Sequence, residues 1–284
     1  MSDGDIPKEN LFFRRPFEPS EDLNPMNRRD FLKALALAGL GGLLPNALLS
    51  SEAQAMGEST NFSIAKFKYA AQGWDPRPSG IRRLLFEVAK RTSISVNTDV
   101  PIIDGRGSDL FDNPFLSLAG DAAIPALEDK VVENLRTYLQ AGGFLLVDSA
   151  EGVSSGPFMQ SAERELKRIL PDKKLTVIPK GHVLYNSFYL IDEPLGRVKV
   201  APTMRGIFDR DRLMVVVCPN DLMGALARDN FGNWQFDVSP GGERQREMAF
   251  RMGINLVMYA LTINYKADQV HVPFILERRQ WKVN

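Results

Sequence analysis

The feature that most constrains this chain is an amphipathic helix, a glycine stop and an unbroken apolar strand in direct succession. After the helical stripe Leu127, Val131, Leu135 and Tyr138, Gly142-Gly143 halts the helix and Phe144–Val147 follows without a polar residue. A strand with one wet face alternates; an unbroken apolar run needs cover on both faces, which helical crossovers between parallel strands supply. Ile64–Tyr69 reads as an earlier strand, followed by the turn Gly73-Trp74-Asp75-Pro76-Arg77-Pro78. Ser79 is then the expected N-cap of a helix whose apolar positions Ile81, Leu84, Leu85, Val88 and Ala89 share one face.

Further strands are expected at Ile94–Val96, Phe115–Leu118, Leu175–Ile178 and Leu213–Val217, with a less regular stretch before the last. A helix runs from about Ser161 to Leu170, where Pro171 ends it. A long helix spans about Glu243 to Tyr265, charged in its first half and apolar nearly all round in its second. Val272–Ile275 reads as an edge strand. The fold class is therefore α/β, a mainly parallel sheet with helices on both faces.

Charge and composition exclude several functions. Lys+Arg and Asp+Glu are equal at 35 each, which removes the basic footprint of a nucleic-acid binder. Two His and one Cys are too few for a zinc, iron–sulfur or His-rich centre, while oxygen-only Mg²⁺ or Ca²⁺ sites stay open. No particular cofactor is indicated. The lone Cys218 cannot form an internal disulfide.

Asn27-Arg28-Arg29-Asp30-Phe31-Leu32-Lys33 resembles a twin-arginine export signal. A mildly apolar run from Ala34 to Leu49, broken by Pro45, and the small residues of Ala53-Gln54-Ala55 follow in the required order. The run is shorter than the roughly 20 residues that span a bilayer, so it reads as a removable segment. The expected layout is an N-terminal extension and signal over 1–55, a spacer over 56–61 and one α/β domain over 62–284. Either the stretch before the arginines is unusually long or translation starts at Met26. The expected location is periplasmic or otherwise outside the cytoplasmic membrane, with membrane contact only through the signal if it is uncleaved.

In parallel sheets ligands bind beyond the C-terminal strand ends. That rule gathers a candidate rim: Trp74 and Asp75, Asp121, Asp148 and Ser149, and Asn220 and Asp221. Glu243, Arg244 and Arg246 open the long helix, where arginines suit either a ligand carboxylate or phosphate or ion pairs with the rim aspartates. The carboxylates suit acid–base work or a divalent ion. Ser149 is a candidate nucleophile with His182 as base and Asp148 or Asp121 behind it, although the flanking glycines of a nucleophile elbow are missing.

Several segments carry a family resemblance. Gly73–Pro78, Arg91-Thr92-Ser93-Ile94, Pro114–Gly120, Gly142–Asp148, Pro219-Asn220-Asp221-Leu222 and, most specifically, Gly241-Gly242-Glu243-Arg244-Gln245-Arg246-Glu247 are similar to an uncharacterised bacterial family, domain of unknown function 4159. The resemblance extends over residues 62–278. It implies a flavodoxin-like fold akin to class I glutamine amidotransferases and brings no established activity. An amidotransferase needs a Cys on a strand-to-helix elbow. Phe144–Val147 is the matching strand, and Asp148-Ser149 follows it instead. The leading expectation is a non-catalytic domain for a small ligand or an envelope protein. The alternative is a hydrolase using the rim carboxylates with Ser149 and His182 or a divalent metal.

Overall fold

A computed structural model describes the backbone of residues 61–280 and the side chains of residues 61–262. The export segment read above lies outside the described residues.

The elements are β1 (Ile64–Phe67), α1 (Gly80–Arg91), β2 (Ile102–Ile103), β3 (Phe115–Gly120), α2 (Asp129–Gln140), β4 (Phe144–Ser149) and α3 (Pro157–Ile169), followed by β5 (Leu175–Val177), β6 (Arg205–Asp209), β7 (Arg212–Cys218), the short α4 (Leu222–Leu226) and the long α5 (Gly242–Gln280). The strands form one seven-stranded sheet in the order β2-β1-β3-β4-β7-β6-β5. β2, β1, β3, β4 and β7 are parallel, and β6 and β5 extend the sheet by antiparallel pairing.

Register explains why the strands are apolar on both sides. Ala65, Leu116, Leu145 and Val215 lie in one row across the sheet and face the core formed with α2 and α3. Residues one place earlier, Ile64, Phe115 and Phe144, point the other way, into the core formed with α1, α4 and α5. Phe115 and Phe144 meet edge to face at 5.0 Å there, and Tyr259 of α5 continues the contact at 5.9 Å from Phe144. Each face thus buries its own aliphatic and aromatic layer.

Three expectations are corrected and a fourth is refined. Ile94–Val96 forms no strand; Val96 makes a single bridge to Phe62, and the edge strand is Ile102–Ile103. Val272–Ile275 lies within α5. Ser79 holds the N-cap position of α1, but its side chain makes no capping bond; its hydroxyl bonds the Arg228 carbonyl and amide instead, tying α1 to the segment after α4. The irregular stretch before β7 contains β6, which turns back through Arg210 in the left-handed region (φ 54°).

The chain leaves β1 for β2 on one side and returns past β1 to β3 on the other. That reversal opens a crevice at the C-terminal ends of β1 and β3.

Candidate functional site

Two of the rim carboxylates meet, and both are buried. Asp148, near the end of β4, accepts the backbone amides of Leu222 and Met223 at 2.8 Å each. Asp221, after β7, accepts Nε and Nη2 of Arg77 at 3.0 and 2.6 Å, Nε of Arg197 and the amide of Gly224 at 3.1 Å. Its own backbone is left-handed (φ 53°), which aims the carboxylate back over the first turn of α4. A β-carbon at Gly224 would sit 2.4 Å from that carboxylate, so only glycine fits there. Phe236 lies 4.0 Å from the Arg77 guanidinium and shields it from water. Burial pushes Asp148 up to about 7, and the neighbouring negative charge of Asp221 adds to the rise.

The polar groups beside this pair are engaged in the fold. Asn220 accepts the amides of Val200 and Ala201 and donates to the carbonyls of Pro194 and Ala201, which pins the 194–201 loop. Burial, then the nearby Asp148, pushes the Cys218 thiol well above its ordinary value and leaves it an unreactive core residue. Ser149 donates to Glu151 at 3.2 Å, and Glu151 accepts the amides of Phe158 and Met159 at the start of α3.

The Ser149–His182 pairing is overturned. Ser149 stands at the C-terminal edge of the parallel strands. His182 packs against Phe208 and Tyr259 at ring distances of 5.5 and 5.4 Å, and Tyr259 accepts the amide of Leu213 at the start of β7. The two side chains therefore belong to opposite edges of the sheet. His182 Nδ1 accepts the Leu184 amide, and burial lowers its pKa. The segment after β5 folds back along the sheet, which strand assignment alone does not reveal.

The remaining rim residues are dispersed. Asp75 pairs with the nearly buried Lys66 at 2.8 Å, and Lys66 also donates to the Pro78 carbonyl. Asp121 is exposed beside Gly73. Trp74 is half-buried, with the Lys68 ammonium 5.7 Å from its ring centre. Arg244 is exposed, and Glu243 pairs with Arg246 at 3.0 Å. Arg246 is buried and donates to the carbonyls of Ala225 and Phe236, while its neighbour Gln245 bonds Gly196, Ser239 and Gly241. The most specific sequence block is thus a clamp that fixes α4 and the 194–241 loops to α5.

A cavity of about 280 Å³ does lie at the strand ends, beside these residues rather than among them. Phe67, Leu127 and Val131 give it an apolar wall, and Lys68, Asp104, Arg106 and Glu128 carry its charge. Arg106 bonds Asp104 at 2.8 Å and Glu128 at 2.6 Å. Lys68 makes no ion pair among the described residues, so the mouth presents one exposed ammonium, although its two cations and two carboxylates balance. The sequence signal for this site is the turn Asp104-Gly105-Arg106 after Ile102-Ile103, where Gly105 adopts φ 78°. Among the described residues no group of three His, Cys, Asp or Glu side chains is placed to hold a metal ion.

Architecture and site together define an α/β protein with a mostly parallel, mixed seven-stranded sheet and a small cavity at its switch point. The model of the family described as domain of unknown function (DUF4159) matches residues 63–261, and the chain belongs to that family. No curated protein matches it.

Proposed function

We propose that the chain is an exported protein of the cell envelope whose α/β domain binds a small ligand and carries no catalytic centre. The observation that carries this reading is the contrast between two groups of charges. Asp148 and Asp221 spend their acceptor capacity on backbone amides and two arginines, whereas the exposed Lys68 ammonium stands without an ion pair among the described residues at the mouth of an open cavity. Ligands of such sheets bind at this position.

The strand order β2-β1-β3-β4-β7 matches the flavodoxin-like order once the β5–β6 insertion is set aside, which supports an amidotransferase-like scaffold. Where an amidotransferase carries its nucleophile, this chain has Asp148-Ser149, both bonded into the fold. Export rests on the order of arginine pair, apolar run and small residues before residue 56.

The test is a thermal-shift panel of small organic acids, amines and neutral compounds on the purified protein, run beside ester, phosphoester and amide turnover assays. The expected result is a shift from at least one compound that disappears when Val131→Trp fills the cavity, with no turnover above that of Asp148→Asn. Sustained turnover that is lost in Asp148→Asn or Ser149→Ala overturns the reading.

A further inference from the structure

On the sheet face opposite α2 and α3, guanidinium groups lie on aromatic rings in a continuous series. Arg228 and Arg246 sit 3.9 and 4.2 Å from the centre of Trp234. Trp234 meets Phe250 of α5 at 6.0 Å, and Arg91 and Arg83 of α1 lie 5.5 and 5.8 Å from the Phe250 ring. Arg83 continues outward over Phe86 at 4.8 Å. A ring attracts a cation but carries no net charge, so these contacts hold the arginines in place without neutralising them.

Counter-charge on this face is incomplete. Glu87 pairs with Arg83 and Arg91, and Glu247 with Arg91 and Arg251. Glu243 pairs with Arg246, and Asp229 is taken up by the backbone amides of Phe231 and Asn233. Nε of Arg83 and Nε of Arg228 are buried and have no hydrogen-bond partner among the described residues, so whatever Arg83 and Arg228 offer to the surface comes from their outer guanidinium nitrogens. Arg82 and Lys90, one helical turn to either side of Phe86 on the exposed stripe of α1, pair with no described carboxylate. In a chain with a formal net charge of zero this is a local excess of positive charge.

The same face presents aromatic side chains to water. Phe231 is 92% exposed at the tip of a loop that is otherwise well bonded, with Arg228 donating to the Gly232 carbonyl and Asp229 accepting the amides of Phe231 and Asn233. Phe86 is 50% exposed. A phenyl ring held outward by an ordered loop contributes nothing to the core and is available to a partner surface.

We propose that this face docks peripherally on an anionic phospholipid surface, with the Phe231 and Phe86 rings at headgroup depth and Arg82, Arg83, Lys90 and Arg228 against lipid phosphates. Aromatic tips flanked by basic side chains are the mixture that partitions at the boundary between headgroups and acyl chains. An acidic polypeptide would match the charges but would offer no apolar phase to two separate ring tips; a bilayer supplies both. No described helix is long and apolar enough to cross a membrane, so the contact is a surface one. It is additional to any contact made by the apolar run of the export segment.

The test uses the full chain carrying Phe231→Cys labelled with a polarity-sensitive maleimide dye; Cys218 is fully buried and stays unlabelled. The control label is Glu133→Cys on α2, across the sheet. With vesicles containing phosphatidylglycerol the dye at 231 shifts to the blue, while phosphatidylcholine vesicles and the label at 133 give no shift. Adding Arg82→Glu and Lys90→Glu raises the half-saturating lipid concentration by about tenfold or more, and salt weakens binding further. The absence of a shift at 231, an equal shift with phosphatidylcholine, or the same shift at 133 overturns the proposal. The last outcome would assign the contact to the export segment, and no lipid response at all would favour an acidic protein partner.

Discussion

Asp148 accepts the amides of the two residues that follow Asp221, so a carboxylate from β4 caps the short helix that Asp221 itself opens. The two acids are thereby drawn together, and the two structures they serve, the β4 end and the β7–α4 junction, are locked to one another. Arg77 and Arg197 supply the positive charge that makes this proximity tolerable.

The pair gives stability a particular pH dependence. Burial and the adjacent charge of Asp221 raise Asp148 to about 7, opposed by the two amides and Arg77. A carboxyl in the unfolded chain titrates near ~4. Between those values the folded state holds the proton that the unfolded state has released. Its contribution is therefore greatest below about pH 4, falls as pH rises to about 7, and is flat beyond. Urea unfolding at intervals from pH 4.5 to 8 will show the wild type losing stability with rising pH relative to Asp148→Asn, by more than about 1 kcal/mol across the window. Parallel curves for the two proteins would refute the assignment.

Asp221→Asn keeps the shape and tolerates the left-handed backbone, but removes the charge that Arg77 and Arg197 face. Two partly buried guanidinium groups are then left without their anion, at an expected cost of about 3 kcal/mol. Arg77→Lys keeps the charge yet loses both the forked contact and the packing on Phe236, so it does not restore wild-type stability. Chemical denaturation of the two variants decides this.

The sequence made the strands legible where burial on both faces leaves an unbroken apolar run, as in Phe144–Val147 and Leu213–Val217. β6 was hidden because its Arg205-Gly206-Ile207-Phe208-Asp209 mixes charge, glycine and apolar residues at an antiparallel margin, and Gly206 is dictated by a contact 7 residues away with Leu213. α4 has no period to read, since every residue in it is buried. For the site, the rule about strand ends located Asp148 and Asp221 on one edge. Their roles were not legible, because Arg77 reaches Asp221 across 144 residues and Arg197 across 24. Spacing carries no trace of such a pair. The cavity is illegible in the sequence for a related reason: its wall comes from β1, the turn after β2 and the start of α2, and no single segment bears a motif.

Two glycines separate space from composition. A β-carbon at Gly196 would lie 2.1 Å from the backbone oxygen of Asn220, an atom fixed by the Asp221 cluster. At Gly181 nothing lies within 4 Å. Gly196→Ala should therefore cost about 2 kcal/mol or more, whereas Gly181→Ala stays within about 0.5 kcal/mol of the wild type. Thermal melts of both variants test whether the 194–201 loop is as firmly held as its hydrogen bonds imply.

The export reading leads to a prediction about the order of events. The sheet pairs β4 with β7 across the intervening β5 and β6 of the sequence, and such non-local parallel contacts form slowly. A pathway that carries folded proteins suits a chain of this kind better than one that threads it unfolded. Arg28→Lys combined with Arg29→Lys should leave the protein folded, protease-resistant and retained inside the cytoplasmic membrane, with its amino-terminal segment intact. The unchanged chain should be recovered outside that membrane, shortened after Ala55. Cell fractionation followed by mass measurement of the purified product tests both statements, and equal export of the double-lysine variant would remove the twin-arginine assignment while leaving the ligand-binding proposal standing.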